Sequence, residues 1–134
     1  MRGEGSNQIS SEPAGASPFD EALALRSVGG DRELLGVIID AFLDECPRLT
    51  AALAKAIIGG DGAGARLAAH TLKGAFSTLG ASEARSLAQQ LETLAHISDC
   101  SLDTTRSDLQ ARQSDLLASL SRLSPALAEF RRTQ

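Results

Sequence analysis

From position 18 onward, apolar residues recur along this chain at spacings of three and four, the signature of helices that bury one face. Before that point the pattern is absent. Residues 1–17 are rich in Gly, Ser, Asn and Pro, with Ile9 the only large apolar side chain after Met1. Such a segment buries too little apolar surface to offset its ordering entropy, so 1–17 reads as a disordered linker or cloning remnant. A folded unit is expected over 18–130. Pro18-Phe19-Asp20 opens it, and a short helix over Asp20–Ser27 is stopped by Gly29-Gly30. Asp31 then caps a long helix with Glu33 in its first turn and apolar residues at 34, 35, 38, 39, 42 and 43. Pro47 falls inside this pattern, which otherwise continues to Ile58, and implies a kink or a break with a fresh first turn.

The remaining elements follow the same logic. Gly59-Gly60 ends the second helix, Asp61 caps a third over about 62–79, and Gly80 terminates that one. A fourth begins at Ser82-Glu83 with an inward stripe of Ala84, Leu87, Ala88, Leu91, Leu94 and Ala95, and ends near Ser98-Asp99. A fifth begins near 102–104 with Leu109, Leu116, Leu120 and Leu123 facing inward, is bent at Pro125, and frays over Arg131–Gln134. Four long amphipathic helices with short connections predict an all-α fold: an antiparallel four-helix bundle with a short additional N-terminal helix.

Composition strengthens this reading and excludes several functions. Aromatic residues are 3% of the 134, with no Trp or Tyr, so core bulk comes from Leu, Ile and Val among many helix-forming Ala. The net charge is −4 and no Lys/Arg cluster is dense enough to track a phosphate backbone, which argues against nucleic acid. No apolar run approaches the roughly 18 residues of a membrane span, and the amino terminus carries no signal-peptide core. Cys46 and Cys100 form no metal or redox spacing and read as reduced residues of a cytoplasmic protein. No Glu-x-x-His pair, nucleophile motif, phosphate loop or zinc spacing supports an enzyme of the hydrolytic or metal class.

Candidate chemistry concentrates in residues 68–81, AAHTLKGAFSTLGA. At 100° per residue, Ala68, Leu72, Ala75, Phe76 and Leu79 fall on a core face, while Arg66, His70, Lys73, Gly74 and Ser77 fall on the opposite, outward one. Gly74 in mid-helix costs roughly 1 kcal/mol relative to Ala. Close approach of another molecule beside His70 is a physical reason to keep it. Imidazole is nucleophilic near neutral pH. Lys73 and Arg66, one turn to either side, supply positive charge for a phosphoryl group. By spacing alone, however, a surface His one turn before a Lys is also the pattern of an ordinary solvated helix face.

The wider pattern adds to this. His70-Thr71-Leu72-Lys73-Gly74 followed by Leu79-Gly80 closely resembles the phosphoacceptor motif of histidine-containing phosphotransfer (HPt) domains. Phe19-Asp20, Gly30-Asp31, Glu33-Leu34-Leu35, Phe42-Leu43, Pro47 and Leu91-Glu92 resemble the family's other landmarks, in its order, over roughly 18–125. The resemblance implies a four-helix bundle without catalytic turnover. On that resemblance His70 would accept a phosphoryl group from the aspartyl phosphate of a receiver domain and pass it to another receiver. The resemblance also implies that the magnesium ion belongs to the partner, so no cofactor or metal is expected here. The resemblance also puts Glu92 at the position whose side chain hydrogen-bonds the acceptor ring; accepting from Nδ1–H, it would leave Nε2 as the nucleophile. One departure is Ala75-Phe76, where the family has small or polar residues; the wheel turns both inward.

Partner contact is expected from Arg66, Leu67, Ala69, Gly74 and Ser77, with Leu67 and Ala69 as the apolar part of a docking surface. For Arg66 and Ser77 an ordinary surface role stands as the other reading, and the Ser77 hydroxyl can instead bond back within its helix. His96, lacking a Lys three residues later, reads as a helix-terminal histidine. The expected partners are receiver domains of response regulators or of a hybrid sensor kinase, without nucleic acid or direct membrane contact, and the bundle is expected to be a monomer. A cytoplasmic domain excised from a membrane-bound sensor kinase fits the linker-like start. The competing function is a phosphorylation-independent interaction module on which His70 is incidental.

Overall fold

Three aspartates start three of the helices. Asp20, Asp31 and Asp61 each accept a hydrogen bond from the backbone N–H three residues on, at 3.0, 3.0 and 2.9 Å. Each satisfies a donor that the first helical turn would otherwise leave unpaired. The computed structural model describes residues 18–97 and 101–133. It contains α1 (Glu21–Ser27), α2 (Arg32–Ile58), α3 (Gly62–Leu79), α4 (Ser82–Ile97) and α5 (Asp103–Arg132). Packing of α2 on α3, α3 on α4, α4 on α5 and α5 back on α2 closes a four-helix bundle, with α1 laid against α2 and α3.

The α3–α4 corner determines how the site is built. Gly80 takes a left-handed conformation (φ 65°), and the N–H of Ala81 bonds to Phe76 O at 2.9 Å. A Cβ on Gly80 would lie 2.7 Å from Asp20 O, and Asp20 N bonds to Gly80 O at 3.1 Å, so glycine is also what lets α1 dock here. A connection this short returns α4 antiparallel along α3.

Between the helices lies one core of Leu35, Ile39, Leu53, Ile57, Leu72, Phe76, Leu91, Leu109, Leu116, Leu123 and their neighbours. Each such side chain contributes roughly 1.5–3 kcal/mol of transfer free energy. Phe76, at the departure from the family pattern, is fully buried and packs edge-on against Phe42, with centroids 5.7 Å apart. Cys46 joins the core as a free thiol, its pKa raised by burial; Cys100 and the expected end of the fourth helix at 98–99 lie outside the described residues, as do 1–17 and Gln134.

Three expectations change. Helix α2 runs unbroken through Pro47, so no fresh first turn begins there. Phe42 and Cys46 before the proline and Leu53 after it are all buried in the same core, which holds the two halves as one helix. Leu34, placed on the inward stripe, is 44% exposed in the first turn of α2. The tail does not fray at Arg131. Its guanidinium makes two bonds of 2.9 Å to the Asp40 carboxylate on α2, while Phe130 stacks edge-on with Phe19 and lies under Arg32. No helix among the described residues is long and apolar enough to cross a membrane.

Candidate functional site

Helix α3 packs against both α2 and α4, and a strip through Arg66, His70, Gly74 and Ser77 faces outward. His70 lies on that strip with its side chain 63% exposed. Alongside runs α4, whose buried Ala88, Leu91 and Ala95 turn the intervening Gln89 and Glu92 toward the edge it shares with α3. The result is a short relay of polar groups across the helix pair.

Glu92 stands at its centre, with its side chain only 17% exposed. Oε2 lies 2.9 Å from His70 Nδ1, and Oε1 lies 2.6 Å from Lys73 Nζ in an ion pair. The Lys73 ammonium, and after it the His70 ring, hold the Glu92 carboxyl below its usual range against the opposing effect of burial. An ionised carboxylate only accepts, so the proton of the neutral ring sits on Nδ1 and the lone pair on Nε2. The arrangement therefore presents a nucleophilic nitrogen on an exposed ring whose orientation is held from behind.

Lys73 is drawn toward α4 rather than standing free beside the ring. Its side chain is 20% exposed, and besides Glu92 it donates to Gln89 Oε1 at 3.1 Å. Gln89 in turn donates through Nε2 to Thr93 Oγ1 at 3.0 Å. Sequence reasoning passed over Gln89 and Thr93, although the spacing of Gln89, three residues before Glu92, puts both on one face of α4.

Among the expected partner contacts, Gly74 is exposed, and a Cβ built there meets nothing within 4 Å, so the space next to His70 is open. Leu67 is 66% exposed and borders a groove between α2 and α3 with Leu49, Ala52 and Ala68, flanked by Arg48 and Lys55. Arg66 is exposed and shares a second, polar groove with Glu92, Thr93 and His96 of α4; His96 itself is exposed in the last turn. Ala69 is fully buried and offers no docking surface. Because α3 is covered on two sides, its buried arc takes in Ala65 and Ala69 as well as the stripe through Ala68, Leu72 and Phe76. Ser77 is exposed, but its hydroxyl is used: it donates to Lys73 O at 3.0 Å and accepts from Arg85 Nε at 2.9 Å, which is the back-bonded alternative. No group of three or more His, Cys, Asp or Glu suited to a metal occurs among the described residues.

Comparison with known proteins bears on this arrangement. Residues 37–128 match the family model for the Hpt domain. The solved HPT domain from the Hpt sensor hybrid histidine kinase of Shewanella superposes with a TM-score of 0.74 at 19% identity, over 87% of this chain and 96% of that one. At that identity the likeness speaks for the fold alone. No curated protein matches. The family match spans all of α3 and α4, including His70, Lys73 and Glu92, and most of α2 and α5. This chain belongs to the Hpt domain family, the helical bundles that carry phosphoryl groups on histidine in two-component phosphorelays.

Proposed function

We propose that His70 Nε2 is the atom that carries the phosphoryl group, taken from the aspartyl phosphate of one receiver domain and given to the aspartate of another. The observation that supports this most is the pairing of an exposed His70 ring with a Glu92 carboxylate 2.9 Å from Nδ1. In the forward step Nε2 attacks phosphorus, the N–P bond forms, and the acyl O–P bond breaks with the receiver carboxylate leaving. The ring gains positive charge as it reacts, and Glu92, already ionised, stabilises that charge while Nδ1 keeps its proton. Return transfer reverses the same bonds.

Lys73 acts here chiefly through Glu92, and Arg66 adds an exposed positive charge one turn from the ring. The open space at Gly74 admits the edge of a partner's active site, and Leu67 with its groove supplies apolar contact. Magnesium is brought by the receiver. The domain turns nothing over by itself and works as a monomer within the cytoplasm. The Shewanella domain is described as part of a hybrid sensor kinase, and the same setting is proposed for this chain.

The test is incubation with phosphorylated receivers, followed by a search for label that resists alkali and is lost in acid, as expected of an N–P bond. His70→Gln abolishes it. Label that persists in His70→Gln, or none in the parent across a panel of receivers, refutes the proposal and leaves docking without phosphorylation as the function.

A further inference from the structure

The geometry points to Gln89 as a positioning residue for phosphoryl transfer at His70, holding the Lys73 ammonium against Glu92 so that the second carboxylate oxygen stays on the ring. This rests on His70 as the acceptor and adds a residue that touches neither the ring nor the phosphoryl group.

Four side chains in series carry the inference. Lys has three donors and no acceptor, so the Gln89 group facing Lys73 Nζ at 3.1 Å is the amide oxygen. The amide NH2 is then the group on Thr93 Oγ1 at 3.0 Å, and Thr93 fixes which way the amide faces. Lys73 is thereby held between two oxygens, Gln89 Oε1 and Glu92 Oε1. Glu92 Oε1 is buried from solvent, and the Lys73 ammonium 2.6 Å away is the positive charge that matches it. If that ammonium leaves, the oxygen is stranded and the carboxylate gains by rotating toward water. Rotation takes Oε2 off His70 Nδ1, and the ring loses both its tautomer preference and its orientation. A lysine on a flexible four-carbon stem is prone to leave, because solvent hydrates the ammonium well. Gln89 is the group that makes staying favourable.

The test uses the whole chain and a small phosphoryl donor, phosphoramidate, so that no partner surface enters. In that reaction the donor's P–N bond breaks, ammonia leaves, and a new P–Nε2 bond forms. Gln89→Leu removes the acceptor at similar size, and Gln89→Glu restores an acceptor oxygen. Two quantities are read: the labelling rate, and the 15N shifts of the His70 ring nitrogens, which report the tautomer. Gln89→Leu is expected to label about tenfold more slowly, the scale of one charge-assisted hydrogen bond. Its ring shifts move toward a mixture of tautomers, and Gln89→Glu recovers both readouts. Far-UV circular dichroism and thermal midpoint establish that each variant is folded; Gln89→Ala, a stronger helix former, replaces the leucine variant if its midpoint falls. Parental ring shifts with a rate within twofold of the parent in the acceptor-less variant overturn the inference, as does a glutamate variant no better than leucine. A parent that takes no label on His70 refutes the acceptor assignment instead.

Discussion

Replacing Gly74 is expected to make the protein more stable and less functional. The residue lies within α3, is exposed, and a Cβ there meets nothing within 4 Å. Gly74→Ala therefore creates no clash and relieves the backbone-entropy cost of a helix-interior glycine, about 1 kcal/mol. With an unfolding entropy of about 2 cal/mol/K per residue, a domain of this size shifts by about 4 °C per kcal/mol. A rise of about 4 °C in thermal midpoint, followed at 222 nm, is the expected reading. Gly74→Gln retains much of that gain but fills the space beside the His70 ring. Transfer from a phosphorylated receiver falls about tenfold or more, while labelling by phosphoramidate, which needs little room, changes less than twofold. Stability rises while receiver transfer falls and phosphoramidate labelling holds, a combination that no general damage to the fold reproduces. A lower midpoint in Gly74→Ala refutes the open-helix reading. Undiminished receiver transfer in Gly74→Gln refutes the idea that a partner approaches over this glycine.

Lys73→Ala leaves the mostly buried Glu92 carboxylate without its cation; urea titration is expected to show a loss of about 1–3 kcal/mol, and labelling of His70 slows. A parental unfolding midpoint tells against the ion pair. The carboxyls of Glu92, Glu83 and Asp40 are all held below their ordinary range, by Lys73, by Ser119 with Arg122, and by Arg131 respectively. A carboxyl lowered in the folded state adds stability that is fully present above its unfolded pKa of about 4 and is lost as pH falls through the folded value. Unfolding free energy should thus fall steeply below about pH 4, and less steeply in Lys73→Ala; equal slopes contradict the assignment. Gly36→Ala puts a Cβ 2.6 Å from Arg131 Nη1 and displaces that guanidinium. The Asp40 carboxyl then titrates nearer its ordinary value in 13C NMR, and an unmoved titration counts against the clash. Phe76→Ala empties the centre of the core and costs about 3–5 kcal/mol in urea unfolding, a smaller loss meaning that Phe42 and its neighbours collapse into the space.

The helices of this protein and the outward face of α3 were legible in the linear pattern. Asp20, Asp31 and Asp61 mark helix starts by local hydrogen bonding, and Gly80 marks a stop by its left-handed backbone. Those are interactions within a few residues. The periodicity around His70 assigns directions within one helix, and it placed Arg66, His70, Gly74 and Ser77 on the exposed side correctly. Glu92 was reached only through the family resemblance, since no local spacing links it to His70.

What required the folded structure is whatever depends on how two helices are rotated against each other. Ala69 looked available from its own helix, but α3 is covered on two sides and the residue is fully buried. Lys73 and Ser77 share the outward face, yet the Lys73 ammonium turns onto Glu92 and Gln89, and the Ser77 hydroxyl accepts from Arg85. Pro47 removes one hydrogen bond locally, but buried side chains on both sides keep α2 whole. Arg131 looked like a loose end until α5 packed beside α2 and brought it to Asp40, 91 residues away. A helical pattern carries the angle of each side chain about its own axis and says nothing of the neighbour's angle. The pairing that holds His70 is the meeting of two such angles, and it exists only once the bundle has closed.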